Sequence, residues 1–293
     1  MPADNALLAD PYSSRIGTQW EIAPRRDPVL WDPEAQGPLN PNQLETFESW
    51  GYFPFPKLIS SDRAKSLLAE ATHLQESLPP DLDHVISEPS SREIRSIFRV
   101  HQDNEAFADV CRDDSIVSIA RQILGSEVYL HQSRINFKPG FQGKEFFWHS
   151  DFETWHVEDG MPRMRAVSIS ISLTANTAYN GPLMLVRGSH QSYVRCVGET
   201  PDEHFRSSLK KQEFGVPNRE ALSLLAEQGE IVAPTGAPGS AVMFDCNTMH
   251  ASASNLSPYP RTNLFLVFNS VENELRTPFG GTPPRPRFLS YRP

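Results

Sequence analysis

The run Trp148-His149-Ser150-Asp151 sets an imidazole and a carboxylate two residues apart. On an extended strand, residues i and i+2 project to the same face, so His149 and Asp151 can point together while Ser150 points away. His250 follows 101 residues later, just after the apolar run 241–244, and is the best third donor. Two imidazoles and one carboxylate on one face of a metal leave three positions open, which suits an Fe(II) that must also take a co-substrate and O2. An HxD pair alone occurs by chance in many chains, and the same three donors suit Zn2+ in a hydrolase. Arg261 lies 11 residues past His250 and opens the next strand-like run, 262–265. Its planar, permanently charged fork fits bidentate capture of a carboxylate anchored beside the metal.

These side chains need elements to hold them. After Gly125 the hydrophobic period becomes two. Segment 128–137 reads as a strand with Gln132, Arg134, Asn136 and Lys138 in one polar row, a pattern that fits a cavity lining better than a core. In 167–174, Val167, Ile169, Ile171 and Leu173 alternate with Ser168, Ser170, Ser172 and Thr174, giving one dry and one small polar face. Further strands are expected at 183–186, 231–232, 240–245 and 262–271. Helices precede them at 42–50, from the Ser60-Ser61-Asp62 cap to Pro79-Pro80, and at 113–124, where Gly125 is the natural C-cap. Residues 1–40 read as an extended arm lying on the domain or partly disordered, 201–229 as a polar, mostly helical insertion and 278–293 as a Pro-rich tail near the active site. Helices followed by many short strands suggest one barrel or sandwich flanked by helices, a single domain over 1–293.

Composition narrows the partners. Of 293 residues, 39% are hydrophobic and 22% charged, as in an ordinary soluble globular chain. The net charge of −9 argues against nucleic acid or an anionic membrane surface, since phosphate binding needs a basic footprint. Three widely spaced cysteines (Cys111, Cys196, Cys246) form no CxxC pair, so neither a disulfide framework nor a thiolate zinc site is indicated. The N-terminal residues lack the pattern of a signal peptide, and no apolar run is long enough for a membrane span.

The HxD pair, the distant His250 and Arg261 at its offset resemble the spacing of 2-oxoglutarate-dependent oxygenases. Asn180-Gly181-Pro182-Leu183 followed by Gly188-Ser189-His190 resembles the phytanoyl-CoA dioxygenase-like branch, where His190 implies a structural hydrogen bond, not a fourth ligand. The run Phe146-Phe147-Trp148-His149-Ser150-Asp151-Phe152-Glu153-Thr154-Trp155-His156-Val157-Glu158-Asp159-Gly160-Met161-Pro162 resembles the signature of ectoine hydroxylases, and the likeness covers most of the chain. Met164 departs from the Pro expected two residues before Ala166, in a loop outside the ligands. The resemblance implies a mainly β fold with flanking helices around a double-stranded β-helix (jelly-roll) core. It implies Fe(II), with 2-oxoglutarate and O2 as co-substrates, and hydroxylation of ectoine to 5-hydroxyectoine. A cytoplasmic homodimer serving compatible-solute synthesis in stress-tolerant bacteria is implied too. Carried over residue by residue, His149, Asp151 and His250 resemble the iron ligands, and Lys138 and Arg261 the 2-oxoglutarate contacts. Gln132, Trp155, Phe268 and Arg285 resemble the ectoine pocket.

The substrate has a physical rationale as well. Ectoine is a small ring with a carboxylate and a delocalised amidinium. Trp155 could offer its face to the amidinium, worth about 0.5–2 kcal/mol, and Arg285 could pair with the carboxylate. Three rivals stand beside this reading: a phytanoyl-CoA-type hydroxylase of another small metabolite, a zinc-dependent hydrolase, and a jelly-roll protein that binds without catalysis.

Overall fold

The alternating rows become the two faces of one large sheet. In the computed structural model, which describes residues 10–88 and 93–293, this sheet is antiparallel and seven-stranded. Its strands are β2 (Tyr52–Phe55), β3 (Val85–Ser87), β4 (Ile94–Phe98), β5 (Val128–Lys138), β7 (Ala166–Ser172), β11 (Ala241–Asp245) and β13 (Arg261–Ser270). They run in the order β2-β11-β7-β13-β5-β4-β3. A four-stranded sheet is ordered β10-β8-β12-β6, from β6 (Phe146–His149), β8 (Leu183–Val186), β10 (Ile231–Val232) and β12 (His250–Ser252). Tyr52, Val242, Phe244 and Phe265 of the first sheet pack with Leu183 and Leu185 of the second, so the two lie face to face as in a jelly roll. In the arm, β1 (Glu21–Pro24) pairs with β9 (Ser192–Arg195).

The dry face of the large sheet is covered by helices α1 (Pro41–Trp50), α2 (Ser61–Ser77), α3 (Val100–Asp103), α4 (Glu105–Arg112) and α5 (Asp114–Leu124). Ile135, Val167, Ile169, Ile171, Leu264 and Leu266 meet Phe47, Leu67, Phe107, Ile116 and Ile123 there. Each such side chain contributes about 1.5–3 kcal/mol when fully buried. Local signals set the helix ends. Asp113 caps α5 by accepting from the Ser115 N–H, and Gly125 closes it in the left-handed region at φ 55. α2 starts from Ser60, whose hydroxyl accepts from the Arg63 N–H.

Hydrophobic periodicity assigns nothing between Pro80 and Asp113, yet β3, β4, α3 and α4 lie there. β4 is buried along its whole length, so no alternation marks it. Of the insertion, α7 (Phe205–Ser208) and α8 (Arg219–Gln228) are helical. The expected strand carrying both His149 and Asp151 is corrected. β6 stops at His149, and the Ser150 hydroxyl accepts from the Glu153 N–H 3.4 Å away, capping helix α6 (Asp151–Thr154). A serine followed by three residues that can turn competes with strand extension and wins. A π-helical turn, Trp155–Asp159, continues α6.

Candidate active site

His149 closes β6 and His250 opens β12, where the two are cross-strand partners. Their rings stand 4.3 Å apart. Asp151 enters from the first position of α6, with Oδ1 3.7 Å from His149 Nε2 and Oδ2 3.9 Å from His250 Nε2. One donor atom from each residue fits within 4.8 Å of the others, a spacing that accommodates one metal ion. The tautomers follow from the outer contacts. His149 Nδ1 donates to the Phe147 carbonyl at 2.6 Å and His250 Nδ1 to the Thr248 carbonyl at 2.9 Å, so both Nε2 lone pairs face the centre. Burial, then the neighbouring His149, pushes His250 down to about 4, which keeps its ring neutral and ready to ligate. Burial opposes ionisation of Asp151, but the facing His250 and His149 outweigh it and hold the carboxyl below the usual range. Its Oδ2 also accepts from the Ser168 hydroxyl, a member of the small polar face of β7.

A cavity opens beside these three residues. Gln132, Arg134 and Asn136 of the β5 row line it, as do Phe265 and Arg261 of β13. Arg261 comes from the large sheet, between β5 and β7, so it reaches the cavity from the sheet facing His250. It is 2% exposed, and its Nε and Nη1 have no hydrogen-bond partner among the described residues. Burial alone lowers its pKa to about 10, so the guanidinium is charged at neutral pH without a carboxylate beside it. A buried cation left in this state costs several kcal/mol unless an anion joins it. Such a guanidinium is suited to receive a carboxylate. The three donors with open positions and the unpaired guanidinium in one cavity fit Fe(II) and 2-oxoglutarate together.

The remaining sequence candidates fall in different places. Trp155 and Arg285 line the cavity, with Trp155 at the start of the π-helical turn and Arg285 in the tail. Gln132 lines it too, with its amide donating to the Leu289 carbonyl at 2.8 Å and its oxygen accepting from Arg134 at 2.7 Å. Lys138 faces Arg261 across the ladder, but its Nζ donates to the Ser252 hydroxyl at 2.8 Å and the Ala253 carbonyl. It is not itself part of the lining and reaches the cavity through Ser252. Burial, Arg261 and Arg95 push it down to about 6. Phe268 is not brought to the cavity. It packs in the helix-covered core with Leu264 and Leu266, because seven residues along a strand reverse the face on which Arg261 stands. Phe265, four residues from Arg261, takes the cavity position, and the same parity could have identified it. His190 is structural, bonding the Glu48 carbonyl at 2.9 Å and pressed against Gly51, where a Cβ would come within 2.3 Å of its ring. Arg95, Ser96 and Phe98 of β4 also line the cavity, and no periodicity pointed to them.

The phytanoyl-CoA dioxygenase (PhyH) family model matches residues 47–263. The ectoine dioxygenase of Sphingopyxis alaskensis is 50% identical over 289 residues, covering 97% of this chain and 94% of its own. That of Bordetella bronchiseptica is 51% identical over 285 residues, covering 97% and 92%. The chain belongs to the ectoine dioxygenase family. Family kinship extends to three dimensions: the crystal structure of EctD from S. alaskensis with 2-oxoglutarate and 5-hydroxyectoine superposes with a TM-score of 0.86 at 46% identity, covering 97% of this chain and 95% of that one. The nogalamycin carbocyclase SnoK, at 18% identity and a TM-score of 0.62 over 81% of this chain and 87% of its own, shares the fold alone.

Proposed function

We propose that this chain hydroxylates ectoine to 5-hydroxyectoine, consuming 2-oxoglutarate and O2 and releasing succinate and CO2. The observation that carries the reading is the unpaired Arg261 guanidinium in the same cavity as the His149, Asp151 and His250 donors. Bound Fe(II) supplies the oxidising chemistry, and the protein supplies position and exclusion of water. His149 and His250 present fixed Nε2 lone pairs, and Asp151 adds one negative charge. Arg261 holds the far carboxylate of 2-oxoglutarate, with Lys138 behind it through Ser252. Four arginines (Arg95, Arg134, Arg261, Arg285) line the cavity, while Asp151 is the one carboxylate among the described residues that do. A chain of net charge −9 thus reserves a cationic chamber for two carboxylate-bearing molecules.

For ectoine, Arg285 is the carboxylate partner, Trp155 faces the amidinium and Gln132 supplies a polar contact. Phe265 replaces Phe268 as the aromatic wall. Zinc-dependent hydrolysis is disfavoured, because it wants a general-base carboxylate beside the metal and Asp151 is already a ligand. No helix among the described residues is long and apolar enough to cross a membrane. The reading as one oxygenase domain, acting as a cytoplasmic homodimer in the osmotic stress response, rests on the family resemblance. Sedimentation of the purified protein tests the dimer.

The deciding experiment loads the protein anaerobically with Fe(II) and 2-oxoglutarate, then admits air and ectoine. Product carrying one added oxygen, in step with succinate, is expected. Succinate without oxidised ectoine would move the substrate to another small metabolite, and no oxygen dependence at all would return the zinc reading.

A further inference from the structure

Arg285 does not stand alone in the cavity wall. Its Nε donates to Asp159 Oδ1 at 2.8 Å and its Nη2 to Asp159 Oδ2 at 2.6 Å. This two-point grip fixes the plane of the guanidinium and leaves Nη1 as the end available to the cavity that Arg285 lines. Asp159 is 0% exposed and ends the π-helical turn that Trp155 begins. One turn therefore carries both Trp155 and the carboxylate that orients Arg285. Its backbone carbonyl is also held, by Arg292 Nη2 at 2.8 Å.

Behind the turn stands His131. Val267 pairs with Gln132 and Phe268 with Leu130, so His131 is an extra residue in β5, a bulge that re-aims its side chain. The ring meets Trp155 edge to face at 5.1 Å, and its Nε2 lies 3.9 Å from Asp159 Oδ2. Neither ring nitrogen has a hydrogen-bond partner among the described residues. Burial, then Arg285 and Arg292, pushes its pKa down to about 3, so the ring is neutral packing.

We propose that Asp159 and His131 are positioning residues for substrate: Asp159 aims Arg285 at the ectoine carboxylate, and the bulged His131 wedges Trp155 against the amidinium side. Neither touches the reacting atoms. Together they set the distance between the two substrate-reading groups, and so select a compact ring with opposite charges at that span. The proposal rests on the assignment of Trp155 and Arg285 to ectoine.

The test compares Asp159→Asn, Arg285→Ala and the double variant in the iron-loaded enzyme, reading ectoine KM, 2-oxoglutarate KM and hydroxyectoine formed per succinate. Asp159→Asn should raise ectoine KM about 10- to 100-fold and lower coupling, since misplacement near 1 Å costs about 100-fold in rate, while 2-oxoglutarate KM stays put. Adding Asp159→Asn to Arg285→Ala should change ectoine KM no further, because Asp159 acts through Arg285. His131→Phe keeps the ring and should preserve coupling, whereas His131→Ala should uncouple. These two keep the proposal testable even where Asp159→Asn fails to fold. Wild-type ectoine KM and coupling in Asp159→Asn and His131→Ala, with Arg285→Ala impaired, overturn the positioning roles and leave the substrate pocket standing. Wild-type behaviour in Arg285→Ala and Trp155→Ala overturns the pocket and the proposal with it.

Discussion

His149 and His250 face each other across the β6–β12 ladder, and each donates its Nδ1 hydrogen to the carbonyl two residues before it, Phe147 and Thr248. The same local device thus sets both tautomers, and the paired register brings both Nε2 atoms to Asp151. These three residues would be the protein's whole contribution to a bound Fe(II), so losing any one should be severe. His149→Ala, Asp151→Ala or His250→Ala should abolish hydroxylation and weaken Fe(II) binding while the circular dichroism spectrum stays native. Near-normal turnover by any one of them would show that the metal lies elsewhere.

Arg261→Lys keeps the charge and loses the fork. The 2-oxoglutarate KM should rise by the equivalent of about 1–3 kcal/mol, the range for charge-assisted hydrogen bonds, and ectoine KM should move less. An unchanged 2-oxoglutarate KM would put the co-substrate at another cation.

Ser150 holds the chain where it changes from strand to helix. Its hydroxyl accepts from Glu153 N–H and donates to Asn247 Oδ1 at 3.0 Å. Ser150→Ala should cost about 0.5–2 kcal/mol as a lost N-cap and weaken Fe(II) affinity, because Asp151 is the first residue of the capped turn. Calorimetry and Fe(II) titration read the two effects separately, and a destabilised protein with unaltered iron affinity would sever the link.

Phe265 and Phe268 sit on opposite faces of β13. Phe265→Ala should raise ectoine KM with moderate loss of stability. Phe268→Ala should cost about 3–5 kcal/mol through a core cavity and leave both KM values near normal in the folded fraction. The reverse pattern would mean that the strand is out of register by one residue.

Acid should destabilise the protein through His131. Its folded pKa lies near 3 against an ordinary 6.5, so between those values the unfolded chain takes up a proton that the folded chain refuses. Stability from this group is intact above about pH 6.5 and falls as pH drops towards 3, by at most about 1.4 kcal/mol per pH unit. Melting curves at pH 7, 6 and 5 should fall less steeply for His131→Phe than for wild type. Parallel curves would place the acid sensitivity elsewhere, with His250 the next candidate.

The candidate donors could be singled out in the sequence, though not by HxD alone. His149, Asp151, His250 and Arg261 stood out through their combined spacing and the family resemblance, because metal and carboxylate binding demand those groups whatever the backbone does between them. The polar row of β5 and the small polar face of β7 were also visible, since period two survives wherever one face is dry. Tertiary structure decided what local patterns cannot carry. Ser150 capped a helix where HxD suggested a strand, because a side-chain hydrogen bond three residues on outcompeted the ladder. Arg261 came to the cavity from the opposite sheet, and strand parity put Phe265 there in place of Phe268. Arg95 and Phe98 entered the cavity from a strand buried on both faces, which leaves no periodic trace. Asp159 and His131 were beyond reach for a different reason: one is defined by a partner 126 residues away in the tail, the other by a bulge that exists only once β5 has found β13.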